Sequence, residues 1–233
     1  MLTPARRHAI AFAARKAAGK PGVLAAPQGE YRLQLMQLGE DLRRLSQIQS
    51  IERKIAAKRE MLPRFKPWID AALAADSPVQ DEIVATVLIW TIDIGDWPQA
   101  LRLARHVLTH GLALPERIRR DAATLIAEEF ATAGLTPAPT VDLNTLQQVD
   151  DLTARADMPD EVRAKLKKAI GCALRAQLDA FDPQVDAAKA GGKPALIATT
   201  LAYFNRALTL DPKCGVKAMI QQLQREAKKV DPA

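Results

Sequence analysis

The stretch Tyr31-Arg32-Leu33-Gln34-Leu35-Met36-Gln37-Leu38-Gly39-Glu40-Asp41-Leu42-Arg43-Arg44-Leu45 decides the fold. Its residues Tyr31, Leu35, Leu38, Leu42 and Leu45 step by 4, 3, 4 and 3, the spacing of an apolar helical seam. No proline falls between Glu30 and Leu62, and Gly39 is the only glycine there. One helix of about 50 Å is therefore predicted. A stripe of that length cannot bury itself. It must fold on a partner helix or pair between copies of the chain, and Tyr31, Leu35, Leu38, Leu42 and Leu45 are the candidate oligomerisation residues.

Outward from this helix, the pattern stays helical. Pro63 and Pro67 read as a corner, and Ser77-Pro78 as the start of the next helix, with Val79, Ile83, Val84, Val87, Leu88 and Ile92 inside. Gly95 ends it, Asp96-Trp97-Pro98 begins another, and Gly111 closes that one. A helix from Pro115 carries Leu125 and Phe130. The segment Gly134 to Thr140, with two prolines, reads as a linker. Beyond it, helices are predicted over Leu143–Ala156, after Met158-Pro159-Asp160-Glu161, through Ile197, Leu201, Phe204 and Leu208, and from Val216 to Ala227. The expected organisation is a basic arm or short helix (1–29), a long helix with a central helical domain (30–133), a linker (134–141) and a C-terminal helical domain (142–233).

Composition agrees with an all-α chain: a long N-terminal helix followed by an irregular array of helical hairpins. The run Ala202 to Pro212 resembles the second helix of a tetratricopeptide unit, so the C-terminal part is read as tetratricopeptide-like, although no strict 34-residue period recurs. Apolar residues make up 48% of the 233 but aromatics only 4%, with Ala and Leu dominant, which disfavours a β-sandwich. Two cysteines, Cys172 and Cys214, exclude a disulfide scaffold and a zinc finger. No apolar run reaches the ~20 residues of a membrane span, so no membrane partner is expected.

Charge placement points to a partner. Residues 1–67 hold 14 Lys/Arg against 5 Asp/Glu, whereas 68–233 hold 19 against 22. A basic third joined to a near-neutral remainder suits a polyanion. Arg6, Arg7, Arg15, Lys16 and Lys20 lie in a stretch without a single acid, and Arg43 and Arg44 are the first of three basic doublets on the long helix. These seven are the candidate DNA-binding residues, because cations repeated along a helix neutralise successive phosphates.

Catalytic signals are weak. Gly191-Gly192-Lys193 is followed by Pro194 where a phosphate-binding loop needs Ser or Thr, so ATP hydrolysis is not expected. His106 and His110 share a helix face but no third ligand is evident from the spacing, so no metal is assigned. The pairs Asp81/Glu82, Glu128/Glu129, Asp150/Asp151 and Asp160/Glu161 do not converge by themselves, and two of them fall at helix starts where acids are favoured. No catalytic residue is assigned.

In their order along the chain, several stretches resemble the small terminase subunit of temperate contractile-tailed bacteriophages, a family often labelled the terminase endonuclease subunit. They are Thr3-Pro4-Ala5-Arg6-Arg7-His8, Lys58-Arg59-Glu60-Met61-Leu62-Pro63 with Pro67-Trp68, and Gln80-Asp81-Glu82-Ile83. Trp90, Asp93-Ile94-Gly95-Asp96 and Ala104-Arg105 follow, then Met158 to Leu166, Gly215-Val216-Lys217 and Leu223-Gln224-Arg225-Glu226. The resemblance implies a role in viral DNA packaging in the host cytoplasm. It implies double-stranded phage DNA, the large ATPase subunit and further copies of the chain as partners, in a ring-like homo-oligomer. Cleavage is implied for the complex, with Mg2+ needed by this chain only if the chain itself cuts. Two other readings stand beside it: a tetratricopeptide-like interaction scaffold that does not touch DNA, and a metal-dependent DNA endonuclease in its own right.

Overall fold

A computed structural model describes residues 29–182 and 192–230. Among these residues there are nine helices and no strand, as the all-α reading requires. The chain divides into two compact units, 1–122 and 123–233. The expected linker at 134–141 joins two helices of the second unit, and Val141 within it is buried.

In the first unit the predicted 50 Å helix is two helices. Helix α1 spans Gly29–Ser46 and α2 spans Ile51–Ala75. The break is chemical. The Gln47 and Ile48 amides turn back to the carbonyls of Arg44 and Leu45, and the Ser50 hydroxyl accepts from the Arg53 amide as the N-cap of α2. The chain thereby folds back, and α1 packs on α2. The second correction concerns Pro63 and Pro67, which make no corner, since α2 runs through both. Each proline removes an amide donor and costs the helix an internal bond. Against that stands one continuous buried face, Ala57, Met61, Phe65, Trp68, Ile69 and Ala72. Burial of the four large side chains among them, at about 1.5–3 kcal/mol each, overrides local propensity.

Helix α3 (Glu82–Asp93) starts at Asp81, not at Ser77. Asp81 accepts hydrogen bonds from the amides of Ile83 and Val84, a stronger cap than Ser77, whose hydroxyl accepts only from Val79 in the loop before it. Residues Ile83 to Leu88 are all buried, so α3 is the central helix of the unit. Asp96 caps α4 (Trp97–His110), and Gly111 ends it with a left-handed φ of 63° that a side chain would resist.

The second unit holds α5 (Ala122–Gly134), α6 (Leu143–Leu152), α7 (Asp160–Asp179), α8 (Gly192–Leu210) and α9 (Lys217–Val230). The helix expected from Pro115 begins only at Ala122, and 111–121 is irregular. The main packing is α7 against α8, with α6 on α7 and α9 on α8. At this joint Gly171 meets the Phe204 ring so closely that a Cβ would lie 2.5 Å from it. Phe204 centres a cluster with Leu178, Ile197, Val216, Ile220 and Leu223.

Candidate functional site

Five of the seven candidate DNA-binding residues, Arg6, Arg7, Arg15, Lys16 and Lys20, lie outside the described residues. Arg43 and Arg44 occupy the last turn of α1, where cations offset the negative helix end. Arg44 pairs with Glu60 across the α1–α2 hairpin at 2.9 Å, and this hydrogen bond raises the guanidinium and lowers the carboxyl from their ordinary values. Lys58 pairs with Asp93, and Arg59 donates to the Ile94 carbonyl at 3.2 Å. The three doublets expected in a row along one helix are therefore divided. Arg43, Arg53 and Lys54 have no ion pair among the described residues, and they flank the same turn at 47–50. The hairpin tip thus brings Arg43, Arg53 and Lys54 to one turn.

The candidate oligomerisation seam is used within the first unit. Leu38 and Leu45 are 1% and 7% exposed, and α1 packs on both α2 and α3. Tyr31 stacks on Trp68 with ring centroids 5.1 Å apart and accepts from the Glu82 amide. Burial, chiefly, pushes its hydroxyl up to about 12. Leu35 and Leu42 are half-buried. The exposed apolar side chains of α1 are instead Leu33 and Met36, on the face that the seam does not include.

Members of three of the carboxylate pairs have structural places. Asp81 caps α3 and also accepts from Trp68 Nε1 at 2.8 Å, so one carboxylate ties α2 to α3. Loss of solvent raises its pKa in spite of these donors. Asp150 accepts from Lys167 Nζ at 2.6 Å, and that ammonium lies 5.4 Å from the centre of the Tyr203 ring. Asp160 and Glu161 sit in the first turn of α7. Of the weak nucleotide motif, Gly191 lies outside the described residues, Gly192 opens α8, and Lys193 and Pro194 are in its first turn.

One cluster adds a third side chain to the histidine pair read from the sequence. Asp76, the C-cap of α2, meets His106 and His110 of α4. Its carboxylate oxygen is 2.7 Å from His110 Nε2 and 3.9 Å from His106 Nδ1. The spacing of the histidines gave no hint of a third partner, because Asp76 is 30 residues upstream of His106 and joins them only when α2 and α4 end side by side. The imidazoles meet edge to face at 4.6 Å, and burial lowers the pKa of His106. Among the described residues this is the one group of three metal-capable side chains.

The family model and two phage relatives agree with one another. The family "Phage small terminase subunit" matches residues 35–161. The "Terminase, endonuclease subunit" of Escherichia phage P2 is 38% identical over 231 residues, 98% of this chain and 87% of the relative. The "Probable terminase, endonuclease subunit" of Haemophilus phage HP1 is 23% identical over 83% of this chain and 69% of its own length. A "Putative N-acetylmannosamine-6-phosphate 2-epimerase" of Synechococcus elongatus is 30% identical over 57% of this chain and 60% of its own length, a partial likeness that fixes neither fold nor activity. No solved structure is significantly similar to the chain.

Proposed function

The chain belongs to the phage small terminase subunit family, and from that premise we propose that it selects viral DNA for packaging in the host cytoplasm and delivers it to the large ATPase subunit. The observation that carries this reading is the likeness to the phage P2 subunit over 98% of the chain. The charge split supports double-stranded DNA as the ligand, since all the excess positive charge lies in residues 1–67. Phosphate binding is assigned to Arg6, Arg7, Arg15, Lys16 and Lys20, with the hairpin tip at Arg43 as a second point of attachment. Arg44 contributes less, because Glu60 already holds it.

Assembly into a homo-oligomer and recruitment of the large subunit belong to the same proposal. The hydrophobic side chains available on α1 for assembly are Leu33 and Met36. Cleavage, which the relatives' names attribute to their subunits, is assigned to the terminase complex. In support, Asp81, Asp150, Asp160 and Glu161 have evident structural roles as caps, ion-pair partners and first-turn acids.

A mobility-shift titration tests the reading, with duplex from the phage packaging region against unrelated duplex of equal length. Tighter binding to the first is expected, with a steep salt dependence. Replacing Arg6, Arg7, Arg15 and Lys16 with Ala should lower the salt slope by roughly one for each phosphate no longer neutralised. An undetectable shift at low salt would leave the scaffold reading in its place. Nicking of supercoiled DNA by the isolated chain with Mg2+, abolished by EDTA, would assign cleavage to this chain.

A further inference from the structure

We propose that Asp76, His106 and His110 form a binding site for a divalent transition-metal ion of the zinc class. Two imidazoles and one carboxylate are a ligand set that zinc accepts, and three protein ligands leave a fourth position for water. The ligand atoms lie within 4.8 Å of one another. Around a tetrahedral zinc with bonds of about 2.0–2.1 Å, ligand atoms are about 3.3 Å apart. The carboxylate separations of 2.7 and 3.9 Å straddle that value and the two imidazole nitrogens lie within 4.8 Å of each other, so the three ligand atoms need only draw together around the ion.

Three further features favour a cation at this point. Asp76 is the left-handed C-cap that ends α2, with φ 46°, and this ending sets its carboxylate beside the last turn of α4. The ion would lie at the C-terminal ends of both α2 and α4, where the carbonyl dipoles are negative. The side chains are also graded from inside to outside, with His106 6% exposed, His110 13% and Asp76 77%. The imidazoles are held in place by the fold, and the carboxylate faces solvent, from which an ion and its water would enter.

Mg2+ is a poor occupant, because it prefers oxygen ligands in an octahedron. The site is separate from the DNA-binding reading above, and its test uses no DNA. Untagged full-length chain is stripped with EDTA, equilibrated with zinc sulfate, dialysed and assayed for metal by emission spectroscopy. One zinc per chain is expected, with a rise in Tm on the order of 5 °C at a hundredfold excess over Kd. Asp76→Asn and His110→Ala should each weaken retention at least tenfold, whereas Cys172→Ser, Cys214→Ser and His8→Ala should leave it unchanged. Co2+ replaces zinc in a second measurement that needs no variant. Tetrahedral visible bands without a thiolate charge-transfer band are expected. Zinc that is not retained, zinc retained equally by Asp76→Asn and His110→Ala, or a thiolate band in the cobalt spectrum each overturns the proposal. In those cases Asp76 and His110 form a hydrogen bond that joins two helix ends and nothing more.

Discussion

The two units are both helical, yet they hold their helices together by different means. In the first, polar side chains cross from helix to helix: Arg64 donates to Asp41, Arg44 to Glu60, Trp68 to Asp81, and the Glu82 amide to the Tyr31 hydroxyl. In the second, the main joint is close apolar approach, with Gly171 letting the Phe204 ring press against the α7 backbone. Polar ties stand beside it here too, with Lys167 donating to Asp150, Lys168 to the Cys214 carbonyl and Arg175 to Glu226. Directional bonds fix register at the cost of desolvating charge. Close apolar packing needs no partner for each atom but does not tolerate added volume.

The largest test of this contrast is Phe204→Ala. Emptying the centre of the α7–α8–α9 cluster should cost about 3–5 kcal/mol, read by urea denaturation, with amide exchange rising in α7 to α9. A drop below about 1 kcal/mol would show that the cluster is loosely packed. Next comes Asp81→Ala in the first unit. It removes the α3 cap, at about 0.5–2 kcal/mol, and strands the Trp68 indole donor, at about 1–3 kcal/mol. Asp81→Asn should recover much of this, since an amide oxygen still accepts; equal destabilisation by both would mean that charge, not the cap, is what matters. Smaller is Gly171→Ala. The overlap with Phe204 costs about 1–3 kcal/mol, but a gain of up to ~1 kcal/mol in helix propensity offsets part of it. In a Phe204→Leu background the same change should cost less, and purely additive effects would deny that the two residues touch.

The smallest effect is on pH, and its sign differs between the desolvated acids Asp41 and Asp81 of the first unit and the hydrogen-bonded acids Glu226 and Asp142 of the second. Burial raises Asp41 and Asp81 above 3.8, so the folded state holds their protons more tightly than the unfolded chain does. Their contribution to stability is full below 3.8 and declines as pH rises through the folded values. Glu226, lowered mainly by its hydrogen bond from Arg175, and Asp142, lowered by Thr145, behave oppositely. Their contribution is full above 4.5 and 3.8 respectively and is lost as pH falls through the folded values. Exposed Glu60 follows this second pattern within the first unit. Taking the protein from pH 6 towards about pH 3.5, protection against amide exchange, relative to the intrinsic rate at each pH, should fall earlier in α7 and α9 than in α3. The reverse order would break the comparison.

Much of the fold was legible because its signals are local. The apolar periodicity gave the helices, and Gly95, Asp96 and Gly111 gave the ends of α3 and α4. The misread places are those where a distant partner outweighs a local preference. Pro63 and Pro67 look like a corner until Phe65 and Trp68 are seen to be buried on the same face. Ser50 was one polar residue among several until it became the cap of a returning helix. The seam from Tyr31 to Leu45 was read correctly as apolar, but α3, one of its covering helices, lies far along the chain. Asp76 was missed for the same reason, since no spacing rule joins it to His106. The N-terminal cations remain a sequence-based assignment, outside the described residues.

The two prolines in α2 also have a mechanical meaning. Without their amide hydrogens, the carbonyls of Arg59 and Pro63 have no helical partner, so bending stiffness is lowest over that pair of turns. Braces from outside the helix sit at the same level: Arg59 to the Ile94 carbonyl, Lys58 to Asp93 and Arg64 to Asp41. Two of the three are ion pairs with at least one solvent-exposed partner, and salt screens such pairs. The rigidity with which the basic hairpin tip is mounted therefore softens as ionic strength rises, while a joint made of Gly171 against Phe204 keeps its stiffness.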